Sequence, residues 1–157
     1  MRPLLEWLTA SALAQALTAH PTLYLFLNAA HILAIGLLAG AIVPLDLRLL
    51  GLFRPAPLSV LGPFLSRAAM AGLILAMLTG AMLFSTKAIE YAGNPAFIAK
   101  MLLLLTGALN ALLLHANPRW QEALLSGQAA LSVRLAAALS LCTWVAAIVA
   151  GRWIGFV

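Results

Sequence analysis

Four stretches of the chain carry no charged residue and consist mainly of apolar side chains: Pro21–Leu45, Ala68–Thr86, Met101–Pro118 and Leu135–Gly151. Each is close to the ~20 residues that an α-helix needs to cross a hydrocarbon core ~30 Å thick. The pattern therefore predicts four membrane-spanning helices, at about residues 22–44, 66–87, 96–117 and 131–151. The predicted fold class is all-α: an integral membrane four-helix bundle that occupies residues 21–157.

Prolines, asparagines and a serine mark the predicted helix ends. Asn94-Pro95 supplies a cap and a first-turn proline for the third helix, and Asn117-Pro118 ends it. Ser66 is the expected cap of the second helix. The residues before it predict a loop over 51–65, because turn formers recur there: Gly51, Pro55, Pro57, Gly62 and Pro63.

Residues 1–20 precede the bundle and allow two interpretations. Arg2, an apolar run and the small residues Ala14-Gln15-Ala16 are typical of a cleaved signal peptide. Polar residues, beginning with Glu6, interrupt that apolar run. We therefore expect a short interfacial helix on the membrane surface, anchored by Trp7.

The composition supports a membrane protein and excludes several other classes. Of the 157 residues, 64% are hydrophobic and 8% are charged, whereas soluble domains carry about 25% charged residues. The nine Lys and Arg residues are dispersed with no basic run, so neither nucleic acid nor a phosphate compound is a predicted partner. The single cysteine, Cys142, excludes an internal disulfide and a thiolate-rich metal site.

Polar side chains inside the predicted spans are the candidates for function, because they are costly to keep in hydrocarbon. At ~1.5 Å per residue, His31 lies ~13 Å below the end at which the first span begins. The same rise brings Met77, Thr106 and Cys142 to a similar depth on the other spans. Asn28 shares a helical face with His31, so we expect this polar stripe to face the interior.

His31 is the candidate axial ligand of haem b, and Met77 is the best candidate for the second ligand. Asn28 and Thr106 would orient the imidazole. His115 lies ~15 Å deeper than His31 by helix rise, so the two histidines are not predicted to bind one iron; His115 would serve a second site or a proton path. The alternative for His31 is a hydrogen bond that only stabilises the bundle.

The sequence contains no motif of the common soluble enzymes and is not predicted to be an enzyme. Its four acidic residues all lie outside the predicted spans. Only the histidines are then left for general acid–base chemistry inside the membrane.

Three segments resemble a family of small bacterial inner-membrane proteins of unassigned function. They are HILAIGLLAGAIVPLDLRLLGL at residues 31–52, TGAMLFSTKAIEYAGNPAFIAK at residues 79–100, and NALLLH at residues 110–115. The resemblance implies a four-helix bundle in the bacterial cytoplasmic membrane. More distantly, a histidine in the first span and another closing the third are similar to the four-helix b-type cytochromes and copper-resistance membrane proteins.

These observations leave three functional hypotheses. The first is a haem b-binding electron-transfer or quinone-interacting subunit built on His31. The second is a structural or accessory subunit of a larger membrane complex, without a cofactor. The third is a transporter of a small solute or metal ion, which four helices would support only as an oligomer. All three predict the lipid bilayer and either further copies or other subunits as partners.

Overall fold

The computed structural model describes residues 2–156, and all regular secondary structure in that range is helical. Eight α-helices follow one another, and a short 3₁₀ turn closes the described range. The α-helices are α1 Arg2–Thr9, α2 Ala12–Ala19, α3 Pro21–Leu49, α4 Leu58–Thr86, α5 Ala88–Gly93, α6 Pro95–Ala116, α7 Pro118–Ser126 and α8 Leu131–Trp153. The predicted all-α membrane bundle is confirmed.

Four of these helices, α3, α4, α6 and α8, are long and apolar enough to cross a membrane, so the chain is a multi-pass membrane protein. α3 packs against α4, α6 packs against α8, and α3 joins the two pairs by its contact with α8. We call the end with the start of α3 and the end of α4 end A. End B holds the α3–α4 connection and α7.

Gly72 allows α3 and α4 to pack closely. A methyl group placed there would lie 2.6 Å from the backbone nitrogen of Leu38 and 3.1 Å from the carbonyl oxygen of Ala34. Small residues allow this spacing, which increases van der Waals contact between helices that gain little hydrophobic driving force in lipid. Beside the contact, Leu38, Ile42 and Trp144 form part of a buried cluster that joins α8 to the pair.

α3 and α4 both extend beyond their predicted ends, towards end B. α3 continues through Pro44 to Leu49, and α4 begins at Leu58, so the connection is residues 50–57 instead of 51–65. Membrane helices tolerate proline because neighbouring groups satisfy the backbone groups that it frees. Here the extra turns are also buried: Leu49 and Leu58 are each 1% exposed in the core cluster of end B.

Two short helices lie between the predicted spans, and one predicted cap is not used. α5 connects α4 to α6, and α7 follows α6 because Asn117 accepts a hydrogen bond from the backbone N–H of Arg119 at 3.0 Å. Trp120, 3% exposed, anchors α7 in the core of end B. Ser66, the expected cap, lies inside α4 with a buried hydroxyl that has no hydrogen-bond partner among the described residues.

The N-terminal segment forms two helices where one was predicted. Ser11 separates them and caps α2 by accepting a hydrogen bond from the N–H of Ala14 at 3.3 Å. α1 lies against α4 and α5, and α2 lies against α3 and α4. Ala14 and Leu17 are buried in this contact, whereas Trp7 is exposed. The segment is therefore packed onto the bundle.

Candidate functional site

His31 is the polar side chain that joins α3 to α4 in the half of the bundle near end A. Its Nδ1 lies 2.8 Å from the hydroxyl oxygen of Thr79. The Thr79 hydroxyl is itself 2.6 Å from the carbonyl oxygen of Leu75, one turn earlier in α4. A hydroxyl has one proton to donate. Because that proton is directed to Leu75, the Nδ1–H of His31 donates to Thr79.

This arrangement fixes the tautomer of the imidazole and leaves Nε2 with its lone pair. The hydrogen bond to a side chain lies at Nδ1, and the imidazole also interacts with the backbone carbonyl of Ala76 on α4. Gly80 makes room for the ring, since a methyl group at this position would lie 3.0 Å from Cε1 of His31. The site therefore presents one oriented acceptor nitrogen inside an apolar helix pair.

Lys100 brings a positive charge to the same half of the bundle. Lys100 belongs to α6, and its side chain packs against Gly151 of α8. A methyl group on Gly151 would lie 3.5 Å from Cδ and Cε of Lys100 and 3.6 Å from its Nζ. Lys100 is the charged residue whose electrostatic interaction reaches His31. The imidazole and the ammonium thus come from different helix pairs, α3–α4 and α6–α8.

Two stacked rings connect α4, which contacts His31, with α6, which carries Lys100. Phe84 follows Gly80 by four residues on α4, and Phe97 precedes Lys100 by three residues on α6, so each pair shares a helical face. The Phe84 and Phe97 rings stack with centroids 5.2 Å apart. The stack therefore links the face of α4 that contacts His31 with the face of α6 that carries Lys100, on the side towards end A.

Charged and phenolic groups lie at end A, where α4 ends and α5 follows. Lys87 and Glu90 form a salt bridge of 2.9 Å, and the hydrogen bond that Lys87 donates to this carboxylate raises the pKa of the Lys87 ammonium. Burial raises the pKa of the Tyr91 phenol, with Tyr24 close by. Glu90 is therefore engaged by Lys87, and the one ion pair of residues 2–156 leaves Lys100 without a carboxylate partner.

The other predicted ligands and orienting groups do not meet His31. Met77 is 62% exposed, because it precedes Thr79 by two residues and so lies on another face of α4. Asn28 is also exposed. Thr106 is exposed and donates to the carbonyl oxygen of Leu102 at 2.9 Å. The expected convergence at one depth fails because helix rise gives depth but not the rotation of each helix.

His115 occupies a separate place near end B. Its Nδ1 lies 2.8 Å from the carbonyl oxygen of Ala111, and its ring is tilted against Trp120 with centroids 5.0 Å apart. The side chain is exposed. It lies at the end of α6 opposite Lys100, so it belongs to a different half of the bundle from His31.

Asp46 was predicted to lie outside the first span, and this prediction is wrong. α3 continues past Pro44, so Asp46 lies inside a span and is 3% exposed. Its carboxylate accepts a hydrogen bond from Ser140 of α8, and Oδ2 has no partner among residues 2–156. The signal that could have found it is the apolar run that continues on both sides of the residue.

A family model covers nearly the whole of this chain: residues 4–157 match a family of unknown function, DUF6644. The chain belongs to this family. The predicted membership of a family with unassigned function is confirmed, and the description of DUF6644 names no reaction, cofactor or ligand. No curated protein matches the chain. No solved structure matches it either. The functional argument for this DUF6644 member therefore depends on its own residues.

Proposed function

We propose that the protein is a non-enzymatic membrane subunit of an electron-transfer complex, and that it binds the head group of a quinol between His31 and Lys100. The oriented Nε2 of His31 is the observation that carries the proposal. We assign the complex to the bacterial cytoplasmic membrane, with other subunits or further copies of this chain as its partners.

The polarity of the two groups selects the ligand class. Nε2 accepts a hydrogen bond, because Nδ1 holds the proton and donates it to Thr79. The Lys100 ammonium donates hydrogen bonds and accepts none. A fitting ligand therefore offers one O–H and one oxygen acceptor at opposite ends of an apolar body. A quinol has this arrangement, and its isoprenoid tail is compatible with the surrounding lipid.

Haem b at His31 is the second candidate, and the fixed Nδ1–H favours it. Histidines that bind metals usually donate the other ring N–H to a neighbouring group, which orients the ligand nitrogen. Thr79 would play that part. Among the described residues only His31 offers a ligand nitrogen at this place, because Met77 lies on another, exposed face of α4. No group of three His, Cys, Asp or Glu side chains that could hold a metal occurs among them. Haem iron held by His31 would supply one-electron chemistry there.

Quinol binding is tested with a short-chain ubiquinol and its dimethyl ether, titrated into the detergent-solubilised protein and followed by tryptophan fluorescence. The ether lacks the O–H that Nε2 would accept. We expect the wild type to prefer the quinol by roughly tenfold, since an unpaired buried acceptor costs about 1–3 kcal/mol. His31→Leu should remove this preference, and Lys100→Met should weaken the binding of both compounds.

His115→Leu is the matched control, because it removes a histidine that also bonds a neighbouring oxygen but lies near end B. It should bind like the wild type. Equal preference in the wild type and in His31→Leu would refute quinol recognition by Nε2. A reduced-minus-oxidised spectrum of protein made with ample haem tests the second candidate: a Soret band lost in His31→Leu and kept in His115→Leu would favour haem b. Negative results in both experiments would favour an accessory subunit without a cofactor.

A further inference from the structure

A pocket of about 630 Å³ opens at end B, where α3 ends, α4 begins, α7 ends and α8 begins. Three arginines line it, namely Arg48, Arg54 and Arg134, and no acidic residue is among its lining residues in the described range. These arginines come from three different segments of the chain. The pocket is separate from the His31 region, which lies towards end A.

Backbone carbonyl groups position all three guanidinium groups. Arg48 donates from Nε to the carbonyl oxygen of Ala56 at 2.8 Å, and from one terminal nitrogen to that of Gly127 at 3.3 Å. Arg54 donates to Gly51 at 3.0 Å. Arg134 donates to the carbonyl oxygen of Leu50 at 3.3 Å. Each guanidinium has five N–H donors, so every one retains donors beyond these bonds.

The positive charges of the pocket have no carboxylate partner among residues 2–156. The one ion pair in the part of the chain that the structure describes is Lys87–Glu90, near end A. Arg48 is the most notable of the three because its side chain is only 7% exposed. Asp46 is close in sequence, but its carboxylate is bonded to Ser140 and it does not line the pocket. Burying an unpaired charge is costly unless another group neutralises it.

The geometry points to a binding site for a phosphate group in this pocket. Planar guanidinium groups match the oxygen geometry of phosphate and form charge-assisted, often bidentate hydrogen bonds with it. The phosphate can belong to an anionic phospholipid or to a soluble phosphate compound. The pocket lies where membrane-spanning helices end, and head groups border the hydrocarbon core at such ends. Leu125, which lines it and is 87% exposed, is suited to contact with an acyl chain.

The test compares two double variants with the same change of charge. R54Q/R134Q removes two exposed arginines of the pocket, and R67Q/R119Q removes two exposed arginines that do not line it. Arg48 stays in place because it also holds the two connecting segments. Each protein is placed in phosphatidylcholine nanodiscs with and without phosphatidylglycerol. Bound lipid is counted by native mass spectrometry, and thermal unfolding is measured with and without inorganic phosphate.

We expect phosphatidylglycerol to be retained by the wild type and by R67Q/R119Q, with affinity lower by roughly tenfold or more in R54Q/R134Q. Stabilisation by inorganic phosphate that is lost only in R54Q/R134Q would support the site and identify a soluble phosphate as its ligand. Equal lipid retention and equal phosphate response in the two double variants would overturn the proposal. So would the absence of both effects in the wild type. Circular dichroism on each variant checks that the bundle is intact.

Discussion

Replacing Gly72 by alanine tests the packing of α3 against α4, because the new methyl group has no space. It would lie 2.6 Å from the backbone nitrogen of Leu38, 2.9 Å from the Leu38 Cα and 3.1 Å from the carbonyl oxygen of Ala34. All three neighbours are backbone atoms of α3, so no side-chain rotation can relieve the contact. The two helices must move apart locally.

The size of that movement sets the expected loss of stability. Carbon atoms pack best at about 3.5–4.0 Å, so the approach at Gly72 must open by roughly 1 Å, which forfeits about a quarter to a half of each neighbouring contact energy. Added methyl groups in well-packed cores cost about 1–3 kcal/mol. We expect Gly72→Ala to lower the free energy of unfolding by an amount in that range.

The assay is unfolding by titration with sodium dodecyl sulfate from mild-detergent micelles, followed by tryptophan fluorescence. Gly36→Ala is the matched control in the neighbouring span, because a methyl group there has no atom within 4 Å. The control should differ from the wild type by no more than about 0.5 kcal/mol. If Gly72→Ala were as stable as Gly36→Ala, the close contact of α3 and α4 described above would be incorrect.

Two further substitutions test the contact between α6 and α8 and the start of α6. Gly107→Ala should lower the unfolding free energy by about 1–3 kcal/mol and shift the tryptophan emission, because its methyl group would lie 2.9 Å from the buried Trp144 ring. Gly151→Ala is the control, because its methyl group would make only ordinary van der Waals contacts. Equal stability of the two variants would contradict the prediction. Asn94→Ala should cost about 0.5–2 kcal/mol in the same titration, because the Asn94 side chain accepts hydrogen bonds from two backbone N–H groups of α6. Asn94→Asp keeps the acceptor and should retain most of the stability, so a full loss in both variants would refute the capping role.

The sequence by itself determined the class of the protein and the positions of its spans. In hydrocarbon every backbone polar group must be satisfied within the chain, so a long apolar run becomes a helix whatever its neighbours are. The boundaries at Asn94-Pro95 and Asn117-Pro118 were predicted to within a residue, because capping and proline geometry act locally. The first span was predicted to end near residue 44, where the charge-free stretch stops, and Pro63 was assigned to a loop; packing in the core of end B extends both helices past these points.

Only the tertiary structure decided which polar groups meet. The spans are apolar on all faces, so the sequence carries little information on the rotation of each helix, and Thr79 in place of Met77 meets His31. The sequence likewise does not show which charged residues come together. Arg48, Arg54 and Arg134 form no basic run, yet the ends of four helices bring them to one pocket. Their convergence depends on contacts between segments far apart in the chain, which local residue patterns do not encode.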